Sequence, residues 1–413
     1  MQRKCSKRML GILLSAAMVM ALMSPAVGSI RAMPENIRLS EGDARQMEFV
    51  LPGSATVEQD CETVCVESGS GSVTVTARAE EGQATLVYKL LGMFRLKTVS
   101  VTVEPERRLI PGGQSIGVAL LTDGVVVVGA SDVSGAASPA RAAGLRPGDR
   151  ILSVNGEKVQ NAAHLTQLTQ QGAPMEVLVE REGETVAYTI SPVYDAENEV
   201  YRLGAWVRDS TAGLGTLTYF DPENGRYGAL GHAITDVDTS IVLPIEQGAI
   251  YESNVIDIHR GTSGTPGELM GSFFGAETEM GSLETNTEFG IFGEMYAPIE
   301  NPLYPDGLPA ATRTEVQEGP AEILTTLDDG ELRAYDCEIT RLYDQYQPST
   351  RSMVLKITDP ELLDATGGIV QGMSGSPIVQ NGKLIGAVTH VFVNDPTQGY
   401  GIYLDWMLEA EKE

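Results

Sequence analysis

The segment 367–390 constrains the fold of this chain more than any other. It places one serine, Ser374, in a glycine-bounded turn with the sequence Gly-Met-Ser-Gly-Ser-Pro at 372–377. An apolar run, an Asn-Gly pair and a second apolar run follow, which predicts two strands joined by a tight hairpin. Such a turn can aim the backbone N–H groups of Gly372 and Ser374 at one point. We therefore predict that Ser374 is a nucleophile and that these two N–H groups form an oxyanion hole.

The segment resembles the nucleophile loop of chymotrypsin-like serine peptidases, and the many short β-like runs after residue 200 are typical of a sandwich or barrel. Two residues differ from that family's loop. Met373 stands where trypsin-like zymogens have the aspartate that pairs with a new N-terminus, so activation by that ion pair is not expected. Ser376 replaces a glycine, and the Gly-x-Ser-x-Gly pattern of α/β-hydrolases is therefore missing.

A nucleophilic serine needs a base, and the chain has four histidines. His164 belongs to a preceding unit, His259 has no supporting motif, and His390 follows the nucleophile as a wall residue of the cleft. His232 lies among small residues in Tyr-Gly-Ala-Leu-Gly-His and precedes Ser374, as in trypsin-like peptidases. We predict that His232 is the base. Spacing leaves the third member open among Asp236, Asp238, Asp359 and Asp364.

A different pattern precedes the peptidase-like half. Pro139 suits the first turn of a short helix and Gly144 ends it. After the strand 150–154, the pair Asn155-Gly156 favours a tight hairpin. This pattern resembles a bacterial PDZ domain. The resemblance implies a loop whose backbone N–H groups receive a peptide carboxylate, formed by Ser115, Ile116, Gly117 and Val118.

We predict a mainly β chain of four segments. Residues 1–34 are a signal peptide or membrane anchor, because basic residues precede the uncharged stretch 9–30. Period-two alternation predicts a small all-β domain. The remaining segments are the PDZ domain and a trypsin-like β-barrel peptidase domain. The predicted bounds are 1–34, 35–105, 106–195 and 196–413.

The chain is expected to lie outside the cytoplasm, because the positive cluster stays inside. With 29 basic and 56 acidic side chains, the net charge of −27 argues against nucleic acid as a partner. Four cysteines exclude a disulfide scaffold. Pairing of Cys61 with Cys65 is left open, and Cys337 is expected to be a buried thiol. No metal or cofactor is expected.

Together, the N-terminal segment, the PDZ-like unit and the elements around His232 and Ser374 resemble the family of stage IV sporulation protein B, PDZ-containing serine peptidases of endospore-forming bacteria. The resemblance implies a triad of His232, Asp359 and Ser374. It also implies initial membrane anchoring and export to the space between mother-cell and forespore membranes, and cleavage of the chain's own N-terminal region. The implied protein substrate is a membrane-bound regulator of an intramembrane protease, whose cleavage allows pro-sigma-K processing to begin.

Three alternatives remain at this point. Gly-Thr-Ser-Gly-Thr-Pro at 261–266 repeats the loop pattern, with Ser263 as nucleophile beside His259. A Ser/Lys tail-specific peptidase would use Lys383. A non-catalytic scaffold would act only through its PDZ groove.

Overall fold

The residues described by a computed structural model of the chain are 36–39, 44–48, 53–59, 62–69, 72–79, 81–90, 94–103, 105–273, 278–343 and 347–412. The chain divides into two compact units, Met1–Arg107 and Arg108–Glu413. The predicted export signal and Cys61 lie outside the described residues. None of the helices in the described ranges is long and apolar enough to span a membrane.

The first unit, where it is described, consists of two small sheets. Its strands are β1 (Asn36–Leu39), β2 (Ala44–Glu48), β3 (Gly53–Gln59), β4 (Val64–Ser68), β5 (Ser72–Ala77), β6 (Gly82–Leu90) and β7 (Phe94–Val103). One sheet has the order β1-β7-β6-β3 and the other β2-β5-β4. Val73, Val75, Val99 and Val101 are all buried, because alternate residues of a strand point to one face.

The second unit begins with two strands and a small α/β region. Its first elements are β8 (Arg108–Pro111), β9 (Ser115–Ala130), α1 (Pro139–Ala143), β10 (Arg150–Val154), β11 (Glu157–Lys158), α2 (Ala162–Thr169), β12 (Met175–Arg181), β13 (Glu184–Ile190), β14 (Val193–Asp195) and β15 (Val200–Arg202). Ser138 caps α1 by accepting from the Arg141 N–H, and Gly144 ends it with φ of 104°. Asn161 caps α2 in the same way.

The middle of the second unit is a large sheet, whose strands come from before and after the α/β region in the sequence. The elements that follow are β16 (Ala205–Phe220), β17 (Arg226–Ala229), β18 (Gln247–Glu252), β19 (Asn254–His259), β20 (Glu268–Ser272), β21 (Glu279–Ser282), β22 (Thr285–Thr287), β23 (Gly290–Glu294) and β24 (Leu308–Pro309). The main path through this large sheet is β13-β12-β10-β9-β16-β17-β23-β22.

The last part of the chain closes into a barrel. Its elements are β25 (Gly319–Thr326), β26 (Leu332–Leu342), β27 (Met353–Ile357), α3 (Pro360–Thr366), β28 (Pro377–Gln380), β29 (Lys383–Val391), β30 (Gln398–Tyr403) and α4 (Leu404–Ala410). The barrel order is β25-β26-β27-β30-β29-β28. The predicted hairpin at Asn381-Gly382 joins β28 to β29, with both residues at positive φ.

Strands β9 and β16, each of 16 residues, join the α/β region to the peptidase half. They pair from Thr216 opposite Ser115 to Ala205 opposite Ala130, with two register shifts in β16, between Trp206 and Val207 and between Arg208 and Ser210. Ile116 and Val118 pack in one hydrophobic cluster and Val125 in another. The predicted PDZ boundary at residue 106 stays a prediction, and β8 and the first half of β9, which follow it, pair with strands of the segment after residue 196.

Candidate active site and peptide groove

The nucleophile loop lies between α3 and β28, and two glycines shape it. Gly372 and Gly375 have φ of 96° and 98°, a conformation that glycine adopts without steric penalty. A Cβ on Gly375 would lie 2.1 Å from the Thr216 carbonyl oxygen. Met373 is fully buried in the barrel core. Apolar packing therefore anchors the loop at the position where trypsin-like zymogens use an aspartate.

Ser374 lines a cleft of about 290 Å³ together with His232 and Gly372. Its Oγ donates a hydrogen bond to the Thr389 carbonyl at 2.9 Å. Among the residues that the structure describes, the backbone N–H groups of Gly372 and Ser374 have no acceptor. The cleft thus contains the predicted nucleophile, the predicted base and the two N–H groups predicted to form the oxyanion hole.

His232 follows the end of β17, where the chain turns through Leu230 and Gly231 at positive φ. Its Nδ1 lies 2.8 Å from the Ala233 carbonyl oxygen. A proton on Nδ1 is donated to that carbonyl, and Nε2 then carries the lone pair that a base needs. Burial lowers the pKa of His232, and the bond to Ala233 offsets part of that effect. The imidazole is therefore neutral at neutral pH.

Family comparison decides which class of enzyme this cleft belongs to. A family model described as SpoIVB peptidase S55 matches residues 199–408, and a PDZ domain model matches residues 132–181. The chain belongs to the SpoIVB peptidase S55 family. It is a serine endopeptidase with a PDZ domain, and its peptidase domain is of the β-barrel type.

Two solved structures illustrate the proteins that this S55 peptidase is similar to. The active form of the Rv3671c protease from M. tuberculosis is 12% identical with a TM-score of 0.30, and the match covers 49% of this chain and 73% of that one. The HtrA-type protease AlgW with a decapeptide is 11% identical with a TM-score of 0.28, and the match covers 50% and 53%. TM-scores this low support no argument about this chain. No curated protein matches it.

The structure gives Asp359 a different task from the one implied by family resemblance. Its carboxylate caps α3 by accepting from the N–H groups of Glu361 and Leu362 at 2.9 and 3.1 Å. A third N–H, that of Asp336, lies 3.4 Å from its other oxygen. Asp359 forms no hydrogen bond or ion pair with His232. The role of Asp359 in orienting the imidazole therefore stays a prediction, since a capping carboxylate keeps further acceptor sites.

The other three aspartates are also engaged elsewhere. Asp236 is buried, pairs with Arg208 and accepts three bonds from the loop 238–239. Asp238 pairs with Arg208 as well, and exposed Asp364 faces Arg260. Within the described part of the chain, the only polar partner recorded for the His232 ring is the Ala233 carbonyl.

His390 is the one other histidine close to the cleft. Its ring centroid lies 5.2 Å from that of His232. Burial is the largest cause that lowers the pKa of His390 to about 4, and electrostatic interaction with His232 and Arg351 adds to it. His390 thus lies next to His232, and its role as a wall residue of the cleft stays a prediction.

The two alternative nucleophile systems are not assembled in the structure. The Ser263 hydroxyl is exposed and donates to the Asn394 carbonyl at 2.8 Å, in the turn between β19 and β20. The Lys383 ammonium lies 2.6 Å from a Glu315 carboxylate oxygen, and this ion pair contributes to lowering the Glu315 pKa. Lys383 is therefore committed to a carboxylate and does not activate Ser374.

The structure also corrects the predicted carboxylate-binding loop at Ser115, Ile116, Gly117 and Val118. These residues lie inside β9, where one edge pairs with β16 and the other with β18. Gly117 serves packing, because the Phe273 ring occupies the space that a Cβ would fill. A strand with both edges paired cannot bind a peptide by strand addition.

A free strand edge exists elsewhere in the PDZ domain. A groove of about 540 Å³ lies between α2 and the start of β16, lined on the α2 side by Leu165 and Thr166. Gly204 has φ of 67°, and a Cβ there would lie 2.6 Å from the Ser131 carbonyl oxygen. Among described residues, the N–H groups of Leu203 and Gly204 have no acceptor. This glycine turn and strand edge have the features that strand addition with carboxylate capture requires.

Sequence reasoning missed this second glycine turn although it carries the same signal. Leu203-Gly204-Ala205 is an apolar-glycine-apolar run like Ile116-Gly117-Val118. His164 does not line the groove and instead faces Glu157 at 3.3 Å.

Proposed function

We propose that this S55 peptidase acts outside the cytoplasm in sporulation signalling. In this proposal it cuts its own N-terminal region and a membrane-bound regulator of an intramembrane protease, so that pro-sigma-K processing begins. The observation that carries the catalytic part is the single cleft that holds Ser374, His232 and two N–H groups without acceptors.

In the proposed reaction, the Ser374 hydroxyl first exchanges its bond to the Thr389 carbonyl for one to His232 Nε2. His232 removes the proton as Oγ attacks the substrate carbonyl carbon, and the N–H groups of Gly372 and Ser374 bind the resulting oxyanion. The imidazolium then protonates the leaving amine, which gives an acyl-enzyme and a free N-terminus. Water attacks the acyl group by the same route and releases the new C-terminus.

The Ala233 carbonyl has a specific part in this scheme. It holds the His232 ring through Nδ1–H and so leaves Nε2 unprotonated, in the cleft that Ser374 also lines. A carbonyl dipole stabilises the imidazolium less than a carboxylate does, because it carries no net charge. We therefore assign the third, orienting position to a backbone group in this conformation.

The choice of substrate rests on the N-terminal segment and the PDZ groove. Basic residues followed by the uncharged stretch 9–30 direct export and initial membrane contact. The groove beside α2 suits a peptide tail that adds as a strand and ends in a carboxylate. The substrate should therefore be close to the membrane and should offer a peptide tail to the groove. A tail of a membrane-bound regulator, or a part of the chain itself, meets both requirements. The charge of −27 argues against nucleic acid as a partner.

The test follows the fate of the full chain and of its proposed substrate. Purified wild-type protein should shorten from its N-terminal side on standing, and Ser374→Ala protein should not. Co-expression with the membrane-bound regulator should yield a regulator fragment only with the wild type. An intact regulator alongside an active, self-shortening wild type would remove the signalling role and leave the peptidase assignment in place.

A further inference from the structure

The oxyanion hole is held by two strands outside the nucleophile loop. On one side, the hydroxyl of Thr216 in β16 donates to the Gly372 carbonyl at 2.8 Å, and its N–H donates to the Ser374 carbonyl at 2.9 Å. On the other side, the N–H of Leu269 in β20 donates to the Gln371 carbonyl at 2.8 Å. Thr216 and Leu269 are both buried.

These bonds fix the two peptide planes that flank Gly372. The Leu269 bond holds the carbonyl of the Gln371–Gly372 peptide, whose N–H is one of the two oxyanion donors. The Thr216 hydroxyl holds the next peptide through the Gly372 carbonyl. Because a trans peptide is planar, fixing a carbonyl also fixes the N–H on its opposite side.

Gly372 needs such support more than another residue would. A glycine populates positive and negative φ about equally, so the chain on its own does not favour one orientation of the Gly372 N–H. The residue has φ of 96° here, and a Cβ at this position would lie 3.0 Å from the Leu269 Cβ. Packing by Leu269 and the hydroxyl of Thr216 therefore select one arrangement from several.

We propose that Thr216 and Leu269 are positioning residues, which aim the Gly372 N–H at the oxyanion and so set the rate of acylation. The inference rests on the proposed catalysis by Ser374, since it concerns the oxyanion of that reaction. It adds that the conformation of the hole is imposed by β16 and β20.

The central variant is Thr216→Val, which keeps the shape of the side chain and removes the hydroxyl donor. We expect kcat/KM on a reporter peptide to fall about 10- to 100-fold, somewhat less than the loss of a whole oxyanion donor. The fall should lie in kcat, with KM changed by less than about threefold. Affinity for a peptide boronate, which mimics the tetrahedral intermediate, should fall by the same factor as kcat/KM.

Two variants separate positioning from a general effect on the fold. Thr216→Ser keeps the donor and should recover activity to within about threefold of wild type. Thr122 is equally buried, and its hydroxyl donates to the Gly124 carbonyl at 2.8 Å, away from the cleft. Thr122→Val therefore removes a comparable buried bond and should leave kcat/KM within about twofold.

If Thr216→Val does not fold, Leu269→Ala decides the matter, because it removes the side-chain atoms beyond Cβ that lie next to Gly372 and leaves the backbone bond. It should reduce boronate affinity more than substrate affinity. Wild-type boronate binding in whichever of the two variants folds would overturn the proposal. A wild-type protein that binds no boronate and cleaves no peptide would instead contradict the proposed function.

Discussion

The two ends of strand β16 differ in whether their hydrogen-bonding groups are free or already bonded within the protein. At its start, residues 205–207 line one side of the PDZ groove, and α2 lines the other side. Near its other end, Thr216 and Thr218 donate hydroxyl bonds to carbonyls of the nucleophile loop. A free edge can take up a ligand strand, whereas a fully bonded one fixes its neighbour. The comparison indicates that an unpaired strand edge is suited to binding a peptide, whereas a bonded segment is suited to holding the nucleophile loop in place.

The largest expected effect concerns the catalytic end. His232→Ala removes the base, and cleavage by the purified full chain should fall at least about 10³-fold while the fold is kept. Lys383→Ala is the matched control, since it removes the ammonium that pairs with Glu315. Activity that survives in His232→Ala and is lost in Lys383→Ala would contradict this account, because the base would then be Lys383 and not His232.

Substitutions in the PDZ groove should weaken peptide binding without changing catalysis. Thr166 is an exposed α2 residue that lines the groove, so Thr166→Trp should fill it and weaken binding of a peptide with a free, apolar C-terminus by at least about tenfold. Thr185→Trp, on exposed β13, is the control. An amidated peptide should bind wild type more weakly than the free acid. Equal binding of both peptides would argue against carboxylate capture at Gly204.

The pH profile sharpens the account of His232. The neutral imidazole is the base, and burial lowers the pKa of His232. Neutral imidazole therefore persists to lower pH than in an exposed histidine, and kcat/KM should fall only below about pH 6.5. A plot of log kcat/KM against pH for the reporter peptide measures this. An acid limb centred above that value would mean that a carboxylate stabilises the imidazolium.

The smallest effect is expected for substitutions of Asp359, which should change the free energy of unfolding more than the activity. Asparagine caps helices about as well as aspartate, so Asp359→Asn should keep stability and most activity. Asp359→Ala should cost about 1 kcal/mol in the free energy of unfolding, which chemical denaturation measures. If Asp359→Asn is as inactive as His232→Ala, the carboxylate acts on His232 in a conformation other than this one.

Much of the fold followed from local chemistry. Pro139, Gly144 and Asn155-Gly156 predicted a helix and a hairpin correctly, because turn residues act on their own neighbourhood. The glycine spacing around Ser374 likewise predicted the loop shape. These signals depend on a few adjacent residues, so no knowledge of the tertiary structure was needed.

The errors came where partners are distant in sequence. Gly117 and Gly204 lie in similar apolar-glycine runs, and only strand pairing shows that β18 covers the first of them. Asp359 also begins a local helix-start pattern, Asp-Pro-Glu at 359–361, and the structure shows that cap, while its place in the triad stays a prediction. Thr216 carries no local signal for its bond to Gly372, which lies 156 residues later.

The most direct test of the account is active-site labelling of the full chain with a fluorophosphonate, followed by mass spectrometry of the labelled peptide. This reagent needs only a nucleophile, a base and an oxyanion hole, so no natural substrate is required. We predict that the label is on Ser374, that Ser263→Ala is labelled normally and that His232→Ala is labelled at least about 10³-fold more slowly. Label on Ser263, or unchanged labelling of Ser374→Ala, would contradict the account.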